Sequence, residues 1–99
     1  MIQKANFGFN IREWIILSLI VAKFGGSSVA SVEKIRNIAQ RLQKMHNKSN
    51  DLVVVVSAMG DTTDELVKLA QETGNELCHR EMDMLLATGE QQSAALLAL

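Results

Sequence analysis

The sequence predicts an α/β protein with a parallel sheet, and three observations carry that prediction. Two short continuous apolar runs, residues 19–22 and 52–56, each end in a loop that carries glycine. Such runs suit parallel strands covered on both faces. Each is followed by a segment with apolar residues at helical spacing. The order strand, helix, strand, helix implies a right-handed crossover. Composition agrees: 99 residues, 47% hydrophobic, 21% charged and without proline, make one globular domain at most. A chain of this length buries only about 60–65% of its unfolded surface, so the core is small.

Charge and cysteine content exclude several classes. Ten Lys and Arg against eleven Asp and Glu leave a net charge of -1, which excludes a whole-molecule basic field for nucleic acid and an acidic tail. The single cysteine, Cys78, cannot form an internal disulfide, in keeping with a reducing compartment. The longest apolar run, residues 14–22, is too short to span a bilayer, which needs about 20 residues. Lys4 and Arg12 precede it, but no small-residue cleavage site follows and Lys23 closes it abruptly. It therefore reads as a strand rather than a signal peptide.

Residues 1–13 have no clear period and read as an extension. The first strand runs through Leu19, Ile20, Val21 and Ala22 into Phe24, Gly25 and Gly26. Ser31 is the expected N-cap of the first helix, with Glu33 in a first turn that favours acids. Val32, Ile35, Ile38, Leu42 and Met45 form its apolar face. Lys34, Arg41, Lys44 and Lys48 share its polar side and read as a solvated face. Residues 46–51 are polar turn material. The second strand, residues 52–56, enters Ser57, Ala58, Met59 and Gly60. Thr62 followed by Glu65 predicts a capping box, and Leu66, Val67, Leu69 and Ala70 continue that helix to Gly74. From about Arg80 a third helix places Met82, Leu85, Leu86, Gly89, Ser93, Leu96 and Leu97 on one stripe, with Gly89 either a break or a close-packing point. Two strands alone make no stable sheet, and the chain stops inside an apolar helical run, so it reads as the front part of a larger protein. His46, His79 and Cys78 lack metal-ligand spacing and are expected to serve surface or packing roles.

Ligands of open α/β sheets gather outside the carboxyl ends of the strands, where both glycine loops lie. Lys23 before Gly25 and Gly26, with Ser27 and Ser28 after, offers a point charge, close backbone approach and a following helix N-terminus. The spacing matches neither a Walker loop nor G-x-G-x-x-G. Taken alone it fits a plain turn as well as a phosphate cradle. The second loop, through Asp61, Thr62, Thr63, Asp64 and Glu65, could bind an amino-acid substrate or place a metal; equally, it could be an acidic first turn. Glu90 is an isolated carboxylate, suited either to a ligand ammonium or to solvent.

Three segments together resemble the aspartokinases of the amino-acid kinase superfamily. Val21-Ala22-Lys23-Phe24-Gly25-Gly26-Ser27-Ser28-Val29-Ala30 resembles their opening signature. Val54-Val55-Val56-Ser57-Ala58-Met59-Gly60-Asp61-Thr62-Thr63-Asp64-Glu65-Leu66 resembles the second loop, and Arg80-Glu81-Met82-Asp83-Met84-Leu85-Leu86-Ala87-Thr88-Gly89-Glu90 the third element. The matches come in the family's order and cover about residues 18–99. One departure is Gln91-Gln92-Ser93, where many relatives have arginine and a branched apolar residue.

The resemblance implies the N-terminal portion of an amino-acid kinase fold, a three-layer α/β/α sandwich with a mainly parallel central sheet, incomplete in this chain. It implies phosphorylation of L-aspartate by ATP with Mg²⁺, the first step towards lysine, threonine and methionine. Lys23 would contact the transferred phosphoryl group, Phe24, Gly25 and Gly26 would hold phosphate, and Ser57 would lie on the phosphate side. Thr63, Asp64, Glu65 and Glu90 would bind the aspartate, with no metal ligand in the chain itself. The family's later kinase residues and regulatory domains would lie beyond residue 99. The implied setting is cytoplasmic, in a homo-oligomer or hetero-oligomer of the full-length protein, with no nucleic-acid or membrane partner. The alternatives are a glutamate- or carbamate-type kinase of the superfamily, or a non-catalytic regulatory or assembly module. Residues 1–16 have no counterpart in the resemblance. Leu17 can be encoded by TTG, an alternative start codon, and Arg12-Glu13 by a ribosome-binding sequence, so residues 1–16 are expected to be an extension of upstream DNA read as protein, with the native chain starting at position 17 and residues 17–99 the kinase portion.

Overall fold

The computed structural model describes residues 2–6, 18–48, 50–74 and 78–99. Strands β1 (Ile2–Asn6), β2 (Ser18–Phe24) and β3 (Asn50–Val56) form one sheet in that order. β2 and β3 are parallel, with Ala22 opposite Val54 and Phe24 opposite Val56. β1 pairs antiparallel with β2, Ile2 opposite Ala22 and Asn6 opposite Ser18. The extension read at residues 1–13 thus contributes a strand that its sequence, lacking period-2 alternation, did not announce. Residues 7–17, which hold much of the apolar run and the expected start at Leu17, lie outside the described residues.

Helix α1 (Val32–His46) follows β2 and is capped as expected: the Ser31 hydroxyl accepts from the Lys34 amide at 3.2 Å. Ile35, Ile38 and Leu42 are buried with Ala22 and Phe24, each of the three helical side chains contributing about 1.5–3 kcal/mol. Val32 departs from the periodic expectation, being 62% exposed, while Val29 is fully buried in the same core. Val29 therefore takes the place the stripe assigned to Val32. β3 begins two residues earlier than expected, at Asn50, whose side-chain Nδ2 donates to the Met45 carbonyl at 2.7 Å and fastens the turn.

Helix α2 (Thr62–Thr73) ends at Gly74 as expected, but the capping box does not form. The Thr62 amide donates to Met59 O at 2.9 Å and the Glu65 amide to Asp61 O at 3.0 Å. That tight turn draws Thr62 into the helix and leaves Asp61 at the N-cap, without a side-chain bond. Helix α3 (His79–Ala98) runs unbroken through Gly89, so Gly89 is a packing point and not a break. α3 packs on α2, α1 and β3. Gly89 and Ser93 are its buried residues, and the Ser93 hydroxyl donates to Gly89 O at 3.4 Å.

Both strands were expected to be covered on both faces; among the described residues the second face is half-buried at Leu19 and Val21 of β2 and exposed on β3. Ala22, Phe24, Val54 and Val56 lie in the core beneath the helices, whereas Val53 and Val55 on the other face of β3 are 48% and 46% exposed. Among the described residues no helix forms a layer over that second face.

Candidate functional site

The site is built from the carboxyl ends of β2 and β3, where the parallel ladder runs on into the loops. The Ser57 amide donates to Phe24 O, and the Gly60 amide to Gly26 O, each at 3.0 Å. These two bonds join the glycine loops into one rim. Gly60 has φ +46°, the left-handed region that favours glycine. Ser28 and Val29 amides donate to Gly25 O at 3.0 and 3.3 Å, and buried Val29 anchors the returning chain.

The two adjacent glycines of the first loop have different surroundings. A side chain at Gly25 would meet open space, so a ligand can reach its backbone. A Cβ at Gly26 would lie 3.0 Å from Ala58 O and 3.3 Å from Gly60 O. Gly26 thus closes the rim and Gly25 faces outwards.

Lys23 is exposed near the end of β2, opposite Val55. Strand alternation sends it to the opposite sheet face from Ala22 and Phe24. The Phe24 side chain is in the core, so only its backbone belongs to the rim. A cleft of about 610 Å³ opens beside Lys23, lined also by Ser28, Lys34, Asn37 and Arg41. The sequence reading left Lys34 and Arg41 in a solvated face. The structure brings both to one cleft with Lys23, and the Lys34 ammonium donates to Ser27 O at 2.8 Å. Helical spacing alone could not find this, because it does not say which strand end the polar face passes.

On the second loop Ser57 is half-buried beside the first. Thr63 is half-buried, and Asp64 and Glu65 are exposed in the first turn of α2. Glu90 is exposed on α3, one residue after Gly89. A Cβ at Gly89 would lie 2.9 Å from Ala58 Cβ, 3.4 Å from Thr62 Cγ2 and 3.6 Å from Leu66 Cδ1. This contact carries Glu90's helix to the second loop. The rim therefore joins the loop after Lys23 to the second loop through direct bonds at Phe24–Ser57 and Gly26–Gly60, and attaches Glu90's helix by close packing. Ala58 and Gly60, which hold these pieces together, were read from sequence only as part of the second loop; the glycine itself was their one legible signal.

A parallel α/β rim of this kind, at the carboxyl ends of its strands, is where ligands gather in open α/β domains. Residues 18–99 match the model of the "Amino acid kinase family", and the chain belongs to that family. Within it, the chain is 59% identical over 83 residues to "Aspartokinase" of Geobacillus stearothermophilus and 57% identical over 83 residues to "Aspartokinase 2" of Bacillus subtilis (strain 168). Each match covers 84% of this chain and 20% of the relative. Among solved structures, the aspartate kinase from Synechocystis superimposes with a TM-score of 0.77 at 57% identity, over 81% of this chain and 14% of that one. The chain thus spans about one fifth of the length of the curated relatives it matches.

Proposed function

We propose that this chain supplies one rim of an aspartate kinase site, at which ATP and L-aspartate give ADP and 4-phospho-L-aspartate. The observation that carries the reading is the Gly60 amide bond to Gly26 O at 3.0 Å, which makes one surface of two loops that the sequence separates. A β-carboxylate oxygen of aspartate attacks the γ-phosphorus, and the bond from that phosphorus to the β,γ-bridging oxygen breaks as ADP leaves. A carboxylate is already anionic, so no general base is required. The protein's contribution is positioning and charge stabilisation. Lys23 stands where charge accumulates on the transferred group, and the accessible backbone at Gly25 approaches phosphate oxygens. Ser57 borders the phosphates; Thr63, Asp64 and Glu65 border the aspartate, and Glu90 faces its ammonium. Mg²⁺ would enter with the nucleotide.

The setting proposed for the full-length protein is a cytoplasmic oligomer working at the head of lysine, threonine and methionine synthesis. Among the described residues no helix is long and apolar enough to cross a membrane. By itself the chain is proposed to be inactive and to self-associate or bind a hydrophobic dye, because Val53 and Val55 leave one sheet face open. Residues 1–16, β1 included, are proposed to be upstream DNA read as protein, so that the native sheet lacks β1. A native peptide containing Phe7 to Arg12, found by mass spectrometry, would refute that.

The test of the activity is a hybrid enzyme. The 83 matched residues of the Geobacillus stearothermophilus aspartokinase are replaced by those of this chain, and ADP release is followed with aspartate or glutamate as acceptor. Aspartate-dependent release is expected. Release with glutamate but not aspartate would overturn the substrate assignment.

A further inference from the structure

We propose that Ala58 is a positioning residue that locks the two loops and helix α3 into one block, with the bare Gly89 admitting its methyl group. Ala58 is 3% exposed and meets the rest of the rim from two sides. Its carbonyl oxygen would be 3.0 Å from a Cβ at Gly26, and its methyl carbon 2.9 Å from a Cβ at Gly89. Glycine in the middle of a 20-residue helix runs against helix propensity, where alanine is favoured. The packing supplies the reason: the helix closes on Ala58 at a distance that leaves no room for a side chain. Gly60, two residues after Ala58, donates its amide to Gly26 O. A push on Ala58 from α3 is therefore felt at the Gly60 to Gly26 bond, although Gly89 has neither of these residues among the nearest atoms to its added Cβ. Alongside the packing of α3 on α2, α1 and β3, this methyl contact is the tightest approach at Gly89 between Glu90's helix and the second loop. The consequence for catalysis rests on the aspartate kinase reading; the mechanical coupling does not.

Two variants separate these claims. Gly89→Ala drives a methyl group into Ala58, and Ala58→Gly in the same chain removes the obstacle. The remaining neighbours, Thr62 Cγ2 at 3.4 Å and Leu66 Cδ1 at 3.6 Å, are at ordinary contact distances. Hydrogen–deuterium exchange is measured at the Gly60 amide in the hybrid enzyme. Gly89→Ala is expected to speed that exchange about fivefold or more, and Ala58→Gly/Gly89→Ala to return it to within about twofold of the parent. In the hybrid, the aspartate KM should rise about fivefold with kcat changed less, and the double variant should reverse the rise. If Gly89→Ala fails to fold and the double variant folds, the coupling is upheld. Unchanged Gly60 exchange in a folded Gly89→Ala, or a double variant that restores nothing, overturns it. If exchange responds as expected while aspartate KM does not, the coupling stands and the role of Glu90 in binding aspartate falls.

Discussion

Gly25 and Gly26 are neighbours in one loop, yet one faces open space and the other is pressed against the carbonyls of Ala58 and Gly60. The same division runs through the whole rim. Lys23, Gly25, Asp64, Glu65 and Glu90 are exposed, whereas Gly26, Ala58 and Gly89 are in tight contact with other parts of the rim or fully packed. The exposed half offers charge and accessible backbone to a ligand. The packed half holds that surface in shape and offers a ligand little. Substitutions in the first half should alter kinetics at nearly constant stability, and those in the second should alter stability first.

The sharpest break between the halves is expected at Lys23. In the hybrid enzyme, Lys23→Ala should lower kcat by about 10²–10³-fold, roughly 3–4 kcal/mol of transition-state stabilisation. Its chemical denaturation midpoint should stay near the parent's, since Lys23 is exposed. A large loss of stability would place Lys23 in the packed half. The opposite pattern is expected at Gly26→Ala, where the atoms to be displaced are backbone carbonyls. It should cost about 1–3 kcal/mol in denaturant unfolding. Gly25→Ala should leave stability almost unchanged and raise the KM for ATP. Equal destabilisation by the two would erase the distinction.

Glu90 tests whether the exposed half divides further. An ammonium partner changes little during phosphoryl transfer, so Glu90→Gln should raise the aspartate KM more than it lowers kcat, with the ATP KM nearly constant. An aspartate KM within about twofold of the parent would remove Glu90 from the site. The smallest effects concern the helix starts beside the rim. Ser31→Ala should cost about 1 kcal/mol, because its hydroxyl caps α1. Asp61→Ala should cost about 0.5 kcal/mol or less, only a dipole interaction being lost at an N-cap without a side-chain bond. Thermal or denaturant unfolding orders the two.

Much of this molecule was decided locally and could be read from the chain. Apolar runs between loops marked β2 and β3, since a strand buried on its core side selects Val, Ile and Leu. Spacings of three and four located α1 and α3, and Ser31 marked the start of α1. The three motifs also pointed to the aspartokinases, through their resemblance to that family's segments in the same order and not through any spacing rule. What no local pattern held was decided by contacts between segments distant in sequence. β1 owes its strand to pairing with the edge of β2, not to a period of its own. Thr62 was drawn into α2 by the turn from Met59, so the capping box gave way. Val53 and Val55 carry the composition of a buried strand, but burial needs a second surface to meet. Gly89 read equally as break or packing point until Ala58 was found against it. Spacing along the chain expresses what a residue does to its own backbone. Which side chain must be absent, or which face covered, depends on what another segment brings to the same place, and only the folded chain contains that information.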